Sequence, residues 1–261
     1  MKIPLYQVDA FTNKVFSGNP AAVCPLEKWT DDTTMQKIAA ENNLSETAFF
    51  VKKDKDLYEL RWFTPTMEVD LCGHATLASA FVIFNFINKN ISSVSFETKS
   101  GKLKVERTAE LLSLDFPARD PIPYQPEENI SAALGLEPME ILRSRDLFVV
   151  YKNESQIISL SPNFELLKTF KDFLGIIVTA PGNGYDFCSR FFAPNAGILE
   201  DPVTGSAHCS LIPYWSKQLN KNKLHAFQLS QRRGELFCEN LGDRVKISGN
   251  AVLYLEGEIL I

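Results

Sequence analysis

Glu46 lies in the stretch Leu44 to Val51, which has the composition of a β-strand; strand alternation sets its carboxylate on one face with Leu44, Ala48 and Phe50. A carboxylate on an apolar face is an edge position, a buried ion pair, or a general acid or base. The last reading draws on desolvation, which raises a carboxyl pKa toward the pH at which proton transfer is efficient. Two glycine-led segments offer it partners: DLCGHATLA, from Asp70 to Ala78, and EDPVTGSAHCS, from Glu200 to Ser210. Each places a glycine at the head of an apolar, helix-like run. A helix start exposes unpaired N–H groups and about half a positive charge, and glycine lets a ligand approach the backbone. The starts at Gly73 and Gly205 therefore read as two arms of an anion clamp, with a small-molecule carboxylate as the natural guest. His74, in the first turn of the first run, is placed to share a proton with a carboxylate.

Other chemistries fit less well. Phosphate loops are excluded by pattern, since neither turn carries the lysine of GxxxxGK[ST] and no GxGxxG occurs. Asp201, Ser206 and His208 contain the residue types of a nucleophilic triad. Residues two apart on a helix point to different sides, however, and TGSAH lacks the second glycine of a nucleophile elbow. Cys72, His74, His208 and Cys209 match no usual zinc spacing, so no metal site is expected. Asn19, in Ser17-Gly18-Asn19-Pro20, reads first as turn chemistry, and His225 as a satisfied surface histidine.

The elements that would position these residues repeat. RWFTP from Arg61 recurs as RFFAP from Arg190, CGHA from Cys72 as TGSA from Thr204, and GKLKVE from Gly101 as GELFCE from Gly234. Three matches in the same order with a slowly growing offset indicate two similar halves. Each half reads as an aromatic strand, Tyr58 to Phe63 or Asp186 to Phe192, then a loop, an apolar helix and a hairpin. The first apolar helix, about Gly73 to Phe86, is apolar nearly all round and belongs at the centre of its half. In the second, Pro213 is expected to end or kink the helix about two turns in. Thr30 to Glu41 reads as a helix opened by the Asp-Asp pair and closed at Asn42-Asn43. The expected organisation is a first half over 1–116, a Pro-rich linker over 117–126 and a second half over 127–250. A final strand over 251–261 is a candidate to join the first half.

Composition narrows the partners. A net charge of -5 with both signs interspersed gives no basic patch for nucleic acid or acidic lipid. No apolar run is long enough to cross a bilayer, and five scattered cysteines without a CxxC pair suit a reducing compartment. A soluble cytoplasmic protein acting on small molecules is the expectation.

The segments VDAFTNKVFSGNPAAV, NLSETAFF, LRWFTPTMEVDLCGHATLASA, SRFFAPNAGILEDPVTGSAH and QRRGEL together resemble the phenazine biosynthesis protein F-like (PhzF-like) family of isomerases. That family shares its fold with diaminopimelate epimerase. The resemblance implies an α+β fold of two pseudo-symmetric halves, each a curled, mostly antiparallel sheet around a central helix, with the active site between them. It implies that Glu46 shuttles a proton and that His74, Asp201 and Ser206 line the same pocket, with Asn19, Gly73, Thr204 and Gly205 in substrate-binding positions. It implies an isomerase that uses no metal, pyridoxal or nucleotide cofactor, and a homodimer. Diaminopimelate epimerase has a cysteine at each helix start; here Cys72 holds the first place and Thr204 the second, which argues against a two-thiol racemase although Cys209 lies one turn further on. The alternative function is a protein that binds small carboxylates on this fold without turnover.

Overall fold

The computed structural model describes residues 2–261. Contacts divide the described residues into two compact units, one made of residues 2–115 with 248–261 and the other of residues 116–247.

The first unit opens with β1 (Lys2–Ala10) and β2 (Asn19–Leu26), followed by α1 (Asp32–Asn42), β3 (Glu46–Asp54), β4 (Leu57–Phe63) and the short β5 (Glu68–Val69). Then come α2 (Gly73–Val82) and the strands β6 (Ser93–Thr98), β7 (Gly101–Thr108) and β8 (Leu111–Pro117). The ends of α1 lie where capping chemistry sets them: the Asp31 carboxylate accepts the Thr34 N–H at 2.9 Å, and Asn43 turns left-handed at φ 49° to stop the helix. α2 is buried on all sides, His74 through Ala80 and Val82 included, because its residues leave no polar face to turn toward water. One π-turn, Ile83–Ile87, extends it, with the Asn88 N–H reaching back to the Ile83 carbonyl at 2.7 Å.

The second unit contains β9 (Ile122–Pro123), α3 (Ile130–Leu134), β10 (Glu140–Arg143), β11 (Leu147–Val150), α4 (Glu154–Ser159) and α5 (Phe164–Leu167). β12 (Ile176–Pro181), β13 (Phe187–Phe192), α6 (Gly205–Leu219), β14 (Lys223–Gln228), β15 (Gly234–Asn240) and all but the last two residues of β16 (Arg244–Gly249) complete it. The chain then returns to the first unit as β17 (Ala251–Leu260), which pairs antiparallel with β1 along its whole length.

The two sheets repeat one another strand for strand. In the first, β1, β2, β3, β4, β6 and β7 are neighbours in that order, with β2 parallel to β3 and β4 parallel to β6 and the other pairs antiparallel. In the second, β10, β11, β12, β13, β14 and β15 follow the same rule, with β11 parallel to β12 and β13 parallel to β14. The side chains repeat as well. Arg61 grips Glu68 with two hydrogen bonds of 2.8 and 2.9 Å and lies over Phe63; Arg190 grips Glu200 at 2.7 and 2.9 Å and lies over Phe192. Each half is thus a curled sheet around a central helix, α2 in one and α6 in the other.

Outer helices close the far faces. Met35, Ile38 and Ala39 of α1 pack with Phe49 and Phe63, and in the second unit Ile157, Leu167 and Phe170 pack with Val178 and Phe192. Burying each large side chain contributes about 1.5–3 kcal/mol. Because Phe49 faces α1, alternation along β3 turns Glu46, Ala48 and Phe50 to the opposite face, toward α2.

Pro213 does not end α6, which runs on to Leu219. Proline has no N–H for the carbonyl four residues back, that of Cys209, and the Arg119 backbone N–H takes its place at 2.9 Å. A partner from outside the helix supplies the missing bond.

Candidate active site

Three elements of the first unit converge on one imidazole. His74, in the first turn of α2, is 5% exposed, and its Nε2 lies 3.0 Å from Oε2 of Glu46, the first residue of β3. That oxygen is buried and accepts no aligned hydrogen bond, so the contact is a close ionic approach. On the other edge of the ring, Nδ1 lies 3.2 Å from the amide nitrogen of Asn19, the first residue of β2. Asn19 is fully buried in a strand, so its role extends beyond the turn chemistry its sequence suggested. An asparagine amide serves either ring state, donating to a bare Nδ1 or, turned over, accepting from Nδ1–H. In both states it holds Nε2 toward Glu46.

Cys72, the residue before α2, puts Sγ 3.5 Å from Nδ1 and 4.0 Å from Nε2. Its carbonyl starts the helix, accepting from the Thr76 N–H at 3.2 Å and the Thr76 hydroxyl at 2.5 Å. Burial, reinforced by the charge of Glu46, pushes the Cys72 thiol up to about 11. Burial works to strip His74 of its proton, but negative charge from Cys72 and Glu46 outweighs it and the ring titrates well above the ordinary histidine range.

Gly18 determines where Asn19 sits. It adopts φ +67°, and a Cβ there would fall 2.2 Å from the Ala10 carbonyl oxygen and 2.7 Å from Thr12 Cγ2. Only glycine permits this turn into β2. The parallel pairing of β2 with β3, Ala21 opposite Glu46, then brings asparagine and glutamate to the same end of the sheet.

In the second unit, the start of α6 is built differently. The Asp201 carboxylate accepts the Thr204 hydroxyl at 2.5 Å, and Gln228 braces the loop, accepting the Thr204 N–H at 2.8 Å and donating to the Asp201 carbonyl at 2.8 Å. Ser206 receives a hydrogen bond of 2.9 Å from Arg145, whose guanidinium also holds the buried Asp146 at 2.9 Å. Burial pushes the Asp146 carboxyl up, against the pull of Arg145 and the Gly175 N–H. His208 donates Nδ1–H to the Thr204 carbonyl at 2.8 Å and so does not serve Ser206. His225 pairs with Glu235 at 2.8 Å, as a satisfied histidine should.

Arg145, Asp146 and Gln228 were missed by sequence reasoning. All three lie outside the repeated segments, so no local pattern pointed to them. The repeat locates the counterpart of Glu46. Thr47 pairs with Phe63 and Ile176 pairs with Phe192, so the residue before each, Glu46 and Gly175, holds the same place. A Cβ on Gly175 would fall 2.2 Å from Phe191 Cζ, and the second half has no side chain there.

A model of the family described as phenazine biosynthesis-like protein matches residues 8–257. The chain belongs to this family. Among phenazine biosynthesis-like relatives, a Pseudomonas aeruginosa protein described as an uncharacterized isomerase is 49% identical over 259 residues, covering 99% of each chain. A crystal structure of a PhzF-family protein from Enterococcus faecalis is 50% identical and superposes with a TM-score of 0.95 over 100% of both chains. A second, from Clostridium difficile, is 50% identical with a TM-score of 0.94, covering 99% of this chain and 100% of that one. With its phenazine biosynthesis-like relatives, the chain is an isomerase. Among the described residues, no helix is long and apolar enough to cross a membrane.

Proposed function

We propose that the protein isomerises a small carboxylic acid by moving a proton between carbon atoms, using side chains of this chain and no cofactor. Glu46 removes the carbon-bound proton and returns it at the new position. His74, held by Asn19, steadies the charge on Glu46 between the two steps. The helix start at Gly73, which carries His74 in its first turn, binds the substrate carboxylate through its N–H groups. The observation that carries this reading is the buried approach of Glu46 to His74 at 3.0 Å.

One base, not two, is supported by the unequal halves. A racemase that works from both faces of a carbon needs a base on each; the second half has Gly175 where the first has Glu46, and Thr204 where the first has Cys72.

The test is incubation with unsaturated and cyclic carboxylic acids in deuterated water, following carbon-bound deuterium by NMR. Wild type should exchange, and Glu46→Gln should lose about 10²–10⁴-fold in rate. Equal exchange by both proteins would remove Glu46 from the reaction; tight binding of an acid with no exchange would favour a binding protein instead.

A further inference from the structure

We propose that the Trp62 indole is a positioning residue for Glu46: its N–H receives the Glu46 carboxylate when that side chain turns from His74, which gives Glu46 two buried stations. Trp62 is 1% exposed on β4, and its Nε1 is buried without an acceptor. The other two indoles are paired, Trp29 donating to Glu59 at 2.7 Å and Trp215 to the Thr179 hydroxyl at 2.9 Å. A buried indole N–H normally finds an acceptor, so the exception calls for one within reach.

Glu46 meets that requirement. Phe63 packs on the α1 face with Phe49, so alternation along β4 turns Trp62 to the opposite face, the one Glu46 occupies. Ala48 stands opposite Trp62 in the ladder, which makes Glu46, two residues before Ala48, the diagonal neighbour of the indole. Diagonal neighbours stand ~7–8 Å apart, within reach of an aromatic ring and a long side chain. The second half shows how close a ring on this diagonal comes. There Ile177 stands opposite Phe191, and Phe191 Cζ lies 2.2 Å from where a Cβ of Gly175 would begin. Trp62 holds the place of Phe191, and Glu46 the place of Gly175. Asp56, which also has a buried carboxylate oxygen without a partner, lies six residues back along the chain, ~20 Å away in an extended strand.

Glu46 Oε2 is the matching acceptor: it is buried and stands 3.0 Å from His74 Nε2, out of line for a hydrogen bond. Rotation about the Glu46 side-chain bonds carries the carboxylate from the imidazole to the indole, and the indole keeps its own proton throughout. The consequence for turnover rests on the proton-transfer reading: a base that collects a proton at one carbon and returns it at another must move its carboxyl group, and a donor at the second station fixes where it stops.

The test reads the indole N–H resonances of ¹⁵N-labelled protein without substrate. Trp62→Phe identifies the Trp62 resonance and copies the residue at the place of Phe191, so the apolar wall stays and only the N–H goes. Should that variant not fold, Trp29→Phe and Trp215→Phe assign the third resonance by elimination. The Trp62 resonance should shift with pH in wild type and lose that shift in Glu46→Gln. His74→Gln, which removes the competing station, should move it further downfield, with Trp29 and Trp215 unmoved. A Trp62 resonance that ignores pH, or follows it equally in Glu46→Gln, overturns the inference. Trp62→Phe should also slow deuterium incorporation about tenfold or more with KM little changed. If Glu46→Gln exchanges deuterium like wild type while the resonance follows Glu46, the contact stands and the proton-transfer reading falls. If Glu46→Gln is slow and the resonance ignores Glu46, this inference falls alone.

Discussion

Glu46 and Gly175 occupy the same position in the two sheets, each one residue before the partner of the phenylalanine that ends the next strand. One position carries the carboxylate that meets His74; in the other the Phe191 ring stands where a side chain would begin. The halves share a backbone plan and divide the chemistry unequally.

The occupied space at Gly175 makes a small change costly. Gly175→Ala should destabilise the protein by about 1–3 kcal/mol through overpacking against Phe191. Denaturant melts of Gly175→Ala, Phe191→Leu and the double variant check this. The double variant should be more stable than the sum of the two single effects.

Asn19 meets the His74 imidazole at Nδ1, so its removal tests positioning in the proposed reaction. Asn19→Leu should lower the turnover number about tenfold or more with little change in KM, since the ring loses its fixed orientation while substrate-binding groups remain. Steady-state kinetics on any acid that wild type exchanges gives both constants. An increase in KM at constant turnover would instead place Asn19 on the substrate.

His208 should weaken the fold in acid. It is fully buried, its Nε2 has no partner, and burial pushes it down to about 4. An unfolded histidine titrates near ~6.5, above the folded value, so this contribution is fully present above that pH and is lost as pH falls toward 4. The loss amounts to about 3 kcal/mol when the shift is converted at ~1.4 kcal/mol per unit. His208→Phe, beside Phe187, should remove it; the stability gap between variant and wild type should change by that amount between about pH 7.5 and pH 3.5 in denaturant melts.

Arg145 links the buried Asp146 to Ser206. Arg145→Leu should destabilise by about 1–3 kcal/mol, because it leaves a buried carboxylate without its cation and the arginine is itself partly exposed. Adding Asp146→Asn should recover most of the loss, a coupling that a double-mutant cycle measures directly.

The fold was legible because both of its periodic signals were strong. Aromatic strands followed by glycine-led apolar helices repeat in order, and so do Arg61 and Arg190, which proved to make the same ion pair and the same ring contact. Glu46 and His74 were legible as candidates because strand alternation and helix position each fix a direction. Their distance was not, since it depends on how β3 and α2 pack, and no local pattern encodes that. Asn19 was undervalued because Gly18 and Pro20 beside it give the same composition as an ordinary turn. That α6 does not end at Pro213 was not legible, because the compensating donor, the Arg119 N–H, belongs to a segment far away in sequence.

β17 pairs with β1 along its full length, and the whole second unit lies between them in the chain. On the ribosome, β1 therefore emerges with one edge unpaired and must wait through the synthesis of all residues of the second unit before its partner strand exists. The second unit can finish folding as a continuous segment while the first is still open. A circular permutant that begins at β17 and runs straight into β1 would reverse that order, giving the first sheet its closing strand at the outset and turning a long-range pairing into a local hairpin.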